Sequence, residues 1–206
     1  MVKADILINK LIFLRMAKAT DSKEKTLTAA IQLFRRQGFH GTALRDILAA
    51  GGAPRGSLYF HFPGGKEQIG EATLRLAGEA ARARIALAAE VASSAELFLR
   101  RIAGAMAAEL ESSGFNDGCP IATTALETSA QSKTLAAAAC EALQGWEREI
   151  AHGLKRFGIA DAEGMATTVL SQLEGALLLA RTYRDPKPLQ RAEQVLALLL
   201  RAHAST

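Results

Sequence analysis

Four side chains that can form hydrogen bonds with nucleic acid occur within seven residues, from Arg55 to His61. Arg55 can hold a guanine edge with two hydrogen bonds or pin a phosphate, and the hydroxyls of Ser57 and Tyr59 reach phosphate oxygens. His61 adds an imidazole that gains charge as the pH falls towards 6. Because these residues lie on one short segment, they indicate a surface that contacts DNA.

The segment before them has the features of a short helix. Thr42 can accept a hydrogen bond from the first turn, and the pair Gly51-Gly52 allows the left-handed conformation that ends a helix. Between them the apolar positions follow helical spacing at Leu44, Ile47 and Leu48. We therefore predict a helix that starts after Thr42 and stops at the glycines.

A second short helix is predicted from Pro54 to Phe60. Proline suits the first turn of a helix, where its missing N–H is not needed. Leu58 and Phe62 are four residues apart and are expected to point to the core. The residues expected on the opposite, DNA-facing surface are Arg55, Gly56, Ser57, Tyr59 and His61. Two short helices joined by a tight glycine turn form a helix-turn-helix.

The residues from Lys25 to Lys66 resemble the N-terminal DNA-binding domain of TetR-family transcriptional regulators. The resemblance is carried by TLTAAIQLFRRQGFHGTALRDI and GSLYFHFPGGKE. The glycine pair in PGGKE and the later GCPIATTALE, at residues 118–127, are similar to the LmrA/YxaF-type branch. The turn differs from the commoner glycine–valine–serine pattern, since GGAPRG offers no side-chain cap.

The resemblance implies a set of DNA-binding residues. Thr42 and Arg45 match positions that contact the DNA backbone. The other DNA-binding residues belong to the second predicted helix, which matches the recognition helix of the family, and to the stretch after it. The full set is Thr42, Arg45, Arg55, Gly56, Ser57, Tyr59, His61 and Lys66. Tyr59 has a second interpretation as a half-buried spacer between helices, and His61 as a surface imidazole.

Charge is distributed unevenly along the chain. Residues 1–66 contain 11 Lys and Arg against 4 Asp and Glu, whereas residues 67–206 contain 14 against 17. A basic segment is expected where a protein meets a polyanion. A solvated basic surface would look the same, but the excess coincides with the helix-turn-helix, which favours double-stranded DNA as the partner.

Apolar periodicity predicts an all-α fold with no strand. We expect an N-terminal extension over residues 1–21, a three-helix DNA-binding domain over 22–66, and a helical ligand-binding and dimerisation domain over 67–206. The last two helices contain VLSQLEGALLLA and VLALLL and are apolar beyond one stripe. Such helices are buried on most sides. They pair with a second subunit in a homodimer or pack inside a monomeric core, and the dimer is favoured because it presents two recognition helices.

The resemblance also implies a ligand cavity in the second domain. Candidate lining residues are Phe98, Met106 and Trp146, although core packing explains each of them as well. Since these side chains carry few polar groups, they favour an apolar or aromatic effector over a sugar or nucleotide.

Other classes of function find little support. The chain has no HExxH, GxSxG, CxxC or Walker A sequence, and its four histidines show no metal-ligand spacing. We therefore expect no catalytic residues, metal or cofactor. Cys119 before Pro120 stands at a helix start, where it is either a structural cysteine or a redox sensor.

The compartment expected from the sequence is a reducing cytoplasm. Two cysteines form no disulfide framework, and no apolar run is long enough to cross a membrane. The first 19 residues superficially resemble a secretory signal, but Asn9 and Lys10 interrupt the apolar segment. They are better explained as a helical extension, or by a true start at Met16.

Together these observations predict a DNA-binding transcriptional regulator, a repressor that a small hydrophobic ligand releases from its operator. The alternative with the same fold is a helical protein-interaction module that does not bind DNA. A third possibility is a helical enzyme with an unrecognised site.

Overall fold

The computed structural model describes residues 22–52 and 55–204, and all regular structure within them is α-helical. The helices are α1 (Ser22–Gln37), α2 (Leu44–Gly51), α3 (Arg55–His61), α4 (Gly65–Val91), α5 (Ala95–Ser112), α6 (Pro120–Thr128), α7 (Lys133–Arg156), α8 (Ala162–Tyr183) and α9 (Lys187–Ala204). The all-α prediction is confirmed. The signal-like segment, Met16, Ala53 and Pro54 lie outside the described residues.

Helices α1 to α3 share a small apolar core. Phe34 of α1, Ile47 of α2 and Leu58 of α3 are fully buried, and Phe62 joins them just after α3. Burying one such side chain contributes about 1.5–3 kcal/mol. The three helices are thereby held as one unit. Helices α2 and α3, with 8 and 7 residues, are too short to be stable alone.

The start of α2 differs from the sequence prediction. Thr42 does not cap the helix: it is fully buried, and its hydroxyl donates to the Gly38 carbonyl at 2.7 Å. Ala43 holds the cap position instead, and its N–H donates to the Asp46 carboxylate at 3.0 Å. The predicted end is correct, since Gly52 has a left-handed backbone with φ of 61°.

The larger part of the chain is organised around α4 and α7, which form the most extensive helix pair. Gly78 of α4 allows close approach, because an added Cβ would lie 2.8 Å from the Ala142 Cβ. At the same contact the Trp146 indole N–H donates to the Gly78 carbonyl at 2.8 Å. A buried tryptophan needs such a partner for its one donor.

The last two helices close this part of the fold. Helix α8 packs against α7 and α9, and α9 packs against α5. Their inner sides are apolar, with Val169, Ala180, Leu189 and Leu196 fully buried. Within residues 22–52 and 55–204 no helix is long and apolar enough to cross a membrane.

Candidate nucleic-acid interface

Helix α3 has one buried and one exposed side. Leu58 is 0% exposed, whereas Tyr59 is 56% and Phe60 is 82% exposed. Gly56 is exposed as well. Because Gly56, Tyr59 and Phe60 are spaced i, i+3, i+4, they lie on one face of the helix. The core therefore holds α3 by one side and leaves an aromatic surface on the other, as expected for a helix that enters a groove.

Arg55 and Ser57 belong to the first turn of α3. Arg55 stands four residues before Tyr59, so the two positions share a helix face. The contacts of both residues with DNA stay predictions.

Phe60 is a surface residue that the sequence argument missed. Large apolar side chains are usually assigned to a core, yet Phe60 lies two residues from both Leu58 and Phe62. Two residues on a helix correspond to about 200° of rotation, which turns Phe60 away from them. The helical spacing of Leu58 and Phe62 was therefore sufficient to predict that Phe60 is exposed.

His61 is half-buried and lies between aromatic rings. Its ring centroid is 5.1 Å from that of Phe60 and 6.5 Å from that of Phe62, both with edge-to-face geometry. Packing on these rings fixes the imidazole at the end of α3.

Lys66 lies at the start of α4, beside the turn that joins α1 and α2. Its Nζ is 4.3 Å from the centroid of the Phe39 ring, a cation–π contact. Burial lowers the pKa of Lys66, an effect that the Glu127 carboxylate opposes. The Lys66 ammonium group therefore lies over the Phe39 ring in this structure. Its contact with a DNA phosphate stays a prediction.

Of the two residues predicted near the start of α2, only Arg45 is accessible. Its side chain is 82% exposed, with Nε 3.6 Å from the Asp46 carboxylate. The Thr42 hydroxyl and N–H are both used within the chain, by the carbonyls of Gly38 and Phe39. The Thr42 side chain is thus not available to a phosphate in this structure, because it closes the turn between α1 and α2.

Comparison with known proteins agrees with this geometry. The model of the tetR family of bacterial regulatory proteins matches residues 27–73, and the LmrA/YxaF-like C-terminal domain of transcriptional regulators matches residues 95–195. The HTH-type transcriptional regulator LmrA of Bacillus subtilis is 33% identical over 183 residues, which are 88% of this chain and 97% of that protein. The chain belongs to the TetR family.

Further relatives cover the same length. The uncharacterised HTH-type regulator YxaF of Bacillus subtilis is 30% identical over 192 residues, 90% of this chain and 98% of that protein. The crystal structure of a TetR regulator from Legionella pneumophila has the same fold, with a TM-score of 0.80 at 22% identity over 88% of this chain and 98% of its own. This TetR-family protein is therefore a DNA-binding transcriptional regulator, and the family is not one of enzymes.

The three side chains predicted to line a ligand cavity are found in or against the core of this TetR-family regulator. Phe98 is fully buried, with its ring centroid 6.4 Å from that of Phe157. Trp146 is held by its hydrogen bond to Gly78, and Met106 is partly buried against the same core. Core packing, the other interpretation of these residues, accounts for Phe98 and Trp146. Their contact with a ligand stays a prediction.

A partly buried ion pair joins α1 of this regulator to the C-terminal part. Arg35 donates from Nη1 to Glu109 at 2.8 Å and from Nε to the Gly118 carbonyl at 3.2 Å. The Gly118 N–H donates back to the Arg35 carbonyl at 2.9 Å. Burial would raise the pKa of Glu109, but the hydrogen bonds and charges of Arg35 and Arg84 together outweigh it and hold that pKa below its ordinary value.

A second link joins the turn after α1 to the end of α6. The Glu127 carboxylate accepts a hydrogen bond from the His40 N–H at 2.9 Å. Gly38 makes room for it, since an added Cβ would lie 1.9 Å from a Glu127 oxygen, and its φ of 76° also favours glycine. Glu127 therefore connects the end of α6 with the turn between α1 and α2.

Cys119 caps α6 and faces Glu174 of α8. Its sulfur accepts a hydrogen bond from the Ala122 N–H at 3.4 Å. Burial raises the pKa of the Cys119 thiol well above its usual range, and burial raises the pKa of Glu174 to about 7. Because the thiolate is the reactive form, this environment favours the structural interpretation of Cys119 over the redox one.

Proposed function

We propose that this chain is a cytoplasmic, homodimeric repressor whose affinity for its operator falls when a small apolar or aromatic effector binds in residues 67–206. The observation that carries the proposal is the exposed face of α3. Tyr59 and Phe60 lie on this face, while Leu58 of the same helix is buried in the core. Two large aromatic side chains exposed on a seven-residue helix are explained if another molecule covers them.

The proposed division of labour follows residue chemistry. Arg55 reads a base edge or pins a phosphate, and the Tyr59 hydroxyl reaches the phosphate backbone. Arg45 is exposed at the start of α2 and supplies a phosphate contact, as does Lys66 from the start of α4. Phe60 adds an apolar surface that suits a thymine methyl group. Gly56 lets the DNA approach the helix backbone closely.

The proposed dimer uses α8 and α9. These two helices expose a set of large apolar side chains: Leu178, Leu179, Tyr183, Val195 and Leu198. Helices of this kind pair with their symmetry mates in an isologous four-helix interface. Two recognition helices then meet two half-sites about one turn of DNA apart.

Release by an effector requires a difference in affinity between two arrangements. The effector must bind the arrangement that does not fit the operator more tightly, because otherwise it shifts nothing. The links from Arg35 to Glu109 and from His40 to Glu127 supply a route, since they connect the DNA-binding helices to α5 and α6. We place the boundary between the two domains at Lys66.

A gel shift tests this function. The full chain is mixed with the genomic DNA that flanks its own gene, at low and at moderate salt, with and without a panel of aromatic compounds. We expect a discrete complex that weakens steeply with salt, because phosphate contacts release counterions. An absence of any complex at low salt contradicts the proposal and favours the protein-interaction module, whose apolar contacts salt does not weaken.

A further inference from the structure

A cleft of about 480 Å³ opens where α1, the loop between α5 and α6, and α8 meet. Its lining residues are Arg36, Phe115, Asn116, Leu178, Arg181 and Thr182. The volume suits a small organic molecule. The cleft has two kinds of wall, cationic and apolar, which together define the chemistry of a ligand.

The cationic wall is formed by two guanidinium groups. Arg181 donates from Nη2 to the Arg36 carbonyl at 2.7 Å, the one hydrogen bond of its side chain among the described residues. Arg36 donates from Nε to Asp117 at 2.8 Å. Each guanidinium has five N–H donors, so both keep several for a further acceptor.

The charges at the cleft do not balance. Asp117 forms an ion pair with Arg36, and its side chain is only 9% exposed. The second guanidinium, that of Arg181, forms no ion pair among residues 22–52 and 55–204. A carboxylate placed between Arg36 and Arg181 would supply the missing charge with charge-assisted hydrogen bonds.

The apolar wall is formed by Phe115 and Leu178, and the Arg184 guanidinium lies over the Phe115 ring, 5.9 Å from its centroid. Leu178 is 62% exposed and also belongs to the apolar face proposed for dimerisation, so the cleft adjoins that face. Phe115 holds a left-handed backbone with φ of 62°, fixed by its N–H bond to the Leu110 carbonyl at 2.9 Å. Only glycine adopts this conformation without cost. The chain thus keeps an aromatic ring beside the cleft at a position where glycine would be easier to accommodate.

We propose that this cleft binds an aromatic carboxylate, with the carboxylate between Arg36 and Arg181 and the ring against Phe115 and Leu178. Resting on the repressor function proposed above, this extends the effector site beyond residues 67–206 to the junction with α1, which contributes Arg36. The walls belong to α1 and α8, so affinity depends on how these helices lie relative to each other. That dependence is what couples a ligand to the position of the DNA-binding helices.

Calorimetric titration of the full chain with 2-naphthoate tests the site, with 2-naphthamide as the uncharged counterpart. We expect saturable binding of naphthoate, and binding of the amide weaker by about tenfold or more. The variants Arg181→Gln and Arg36→Gln should each reduce naphthoate affinity by about tenfold, since each removes a charged donor. The control Arg156→Gln changes an exposed arginine at the end of α7 and should bind naphthoate normally.

A second variant keeps the test valid if the arginine variants do not fold. Phe115→Gly removes the aromatic wall and places glycine at a positive φ, so the backbone is retained. We expect a folded protein by circular dichroism and weaker naphthoate binding. Equal affinity for acid and amide, unchanged binding by both Arg181→Gln and Phe115→Gly, or no saturable binding by the wild type overturns the proposal.

The gel shift separates this inference from the proposed function. If the chain binds its operator and naphthoate binds in the cleft, addition of naphthoate should weaken the complex in wild type and not in Arg181→Gln. If naphthoate binds but leaves the complex unchanged, the assignment as effector site is wrong. If no operator complex forms at all, the repressor function fails, and calorimetry still decides whether the cleft binds the carboxylate.

Discussion

Nη1 of Arg35 lies 2.8 Å from Oε1 of Glu109, although the two residues are 74 positions apart in the chain. The arginine side chain is 14% exposed and the glutamate 33%, so the pair is largely shielded from water. The pair joins α1, which packs against the two helices of the helix-turn-helix, to α5 of the C-terminal part. The link between DNA-binding and C-terminal parts is therefore electrostatic as well as apolar.

Glu109→Gln should lower the free energy of unfolding by about 1–3 kcal/mol at pH 7, because it removes the carboxylate that forms ion pairs with Arg35 and Arg84. The pKa of Glu109 is lowered in the folded protein, so its stabilisation is complete above the ordinary carboxyl pKa and is lost as pH falls through the lowered value. Urea unfolding at pH 7 and pH 4 measures both effects. Glu111→Gln, at an exposed position of the same helix, serves as control. Equal losses in the two variants would contradict this role.

Replacing Arg55 or Tyr59 with alanine should weaken operator binding by about 1–3 kcal/mol each while the thermal midpoint changes little. Tyr59 is exposed and its removal leaves no cavity. Fluorescence anisotropy with labelled operator DNA gives the affinity, and circular dichroism gives the midpoint. Wild-type affinity in both variants would show that α3 does not face the DNA.

Arg45→Gln should act through the salt dependence of operator binding. Arg45 is exposed, and within the part of the chain that the structure describes it makes one loose ion pair, with Asp46. Loss of one phosphate contact should reduce the slope of log K against log salt by about one. Anisotropy titrations at four salt concentrations provide the slope, with Arg156→Gln as the matched control. An unchanged slope would place Arg45 outside the interface.

Leu198→Glu should convert the dimer into a monomer at micromolar concentration. Leu198 is 61% exposed on α9, within the apolar face proposed for dimerisation, and a buried unpaired carboxylate there is costly. Leu126→Glu is a close control, since Leu126 is 87% exposed on α6 and lies outside that face. Sedimentation equilibrium gives the mass of each variant. A wild-type monomer, or a dimer that survives Leu198→Glu, would refute the proposed interface.

Glu174→Gln should stabilise the fold at alkaline pH. Burial raises the pKa of Glu174 to about 7, so the folded state favours the protonated form and loses stability as pH rises from the ordinary carboxyl pKa through 7. The amide removes this penalty, a gain of about 1–2 kcal/mol at pH 8.5 and little at pH 5. Urea unfolding at the two pH values tests the difference. A gain of the same size at both would mean that ionisation is not the cause.

Much of the local structure follows from short-range patterns in the sequence. The four-residue spacing of Leu58 and Phe62 predicts which side of α3 is buried, and the structure confirms it. Gly52 ends α2 as expected, because only a residue without a Cβ takes a left-handed backbone without cost. Helical period, glycine positions and the TetR-like motif together determined the helices, their order and the family.

What the tertiary structure decided depends on residues far apart in sequence. Thr42 has the right chemistry for a cap, yet its hydroxyl bonds the Gly38 carbonyl because the core encloses it. Arg36 and Arg181 are 145 residues apart, and no periodicity indicates that they share a cleft. Hydrogen-bond partners and cavities are set by which helices pack together. That packing minimises the free energy of the whole chain, whereas a sequence pattern reports only the preference of each segment for a conformation.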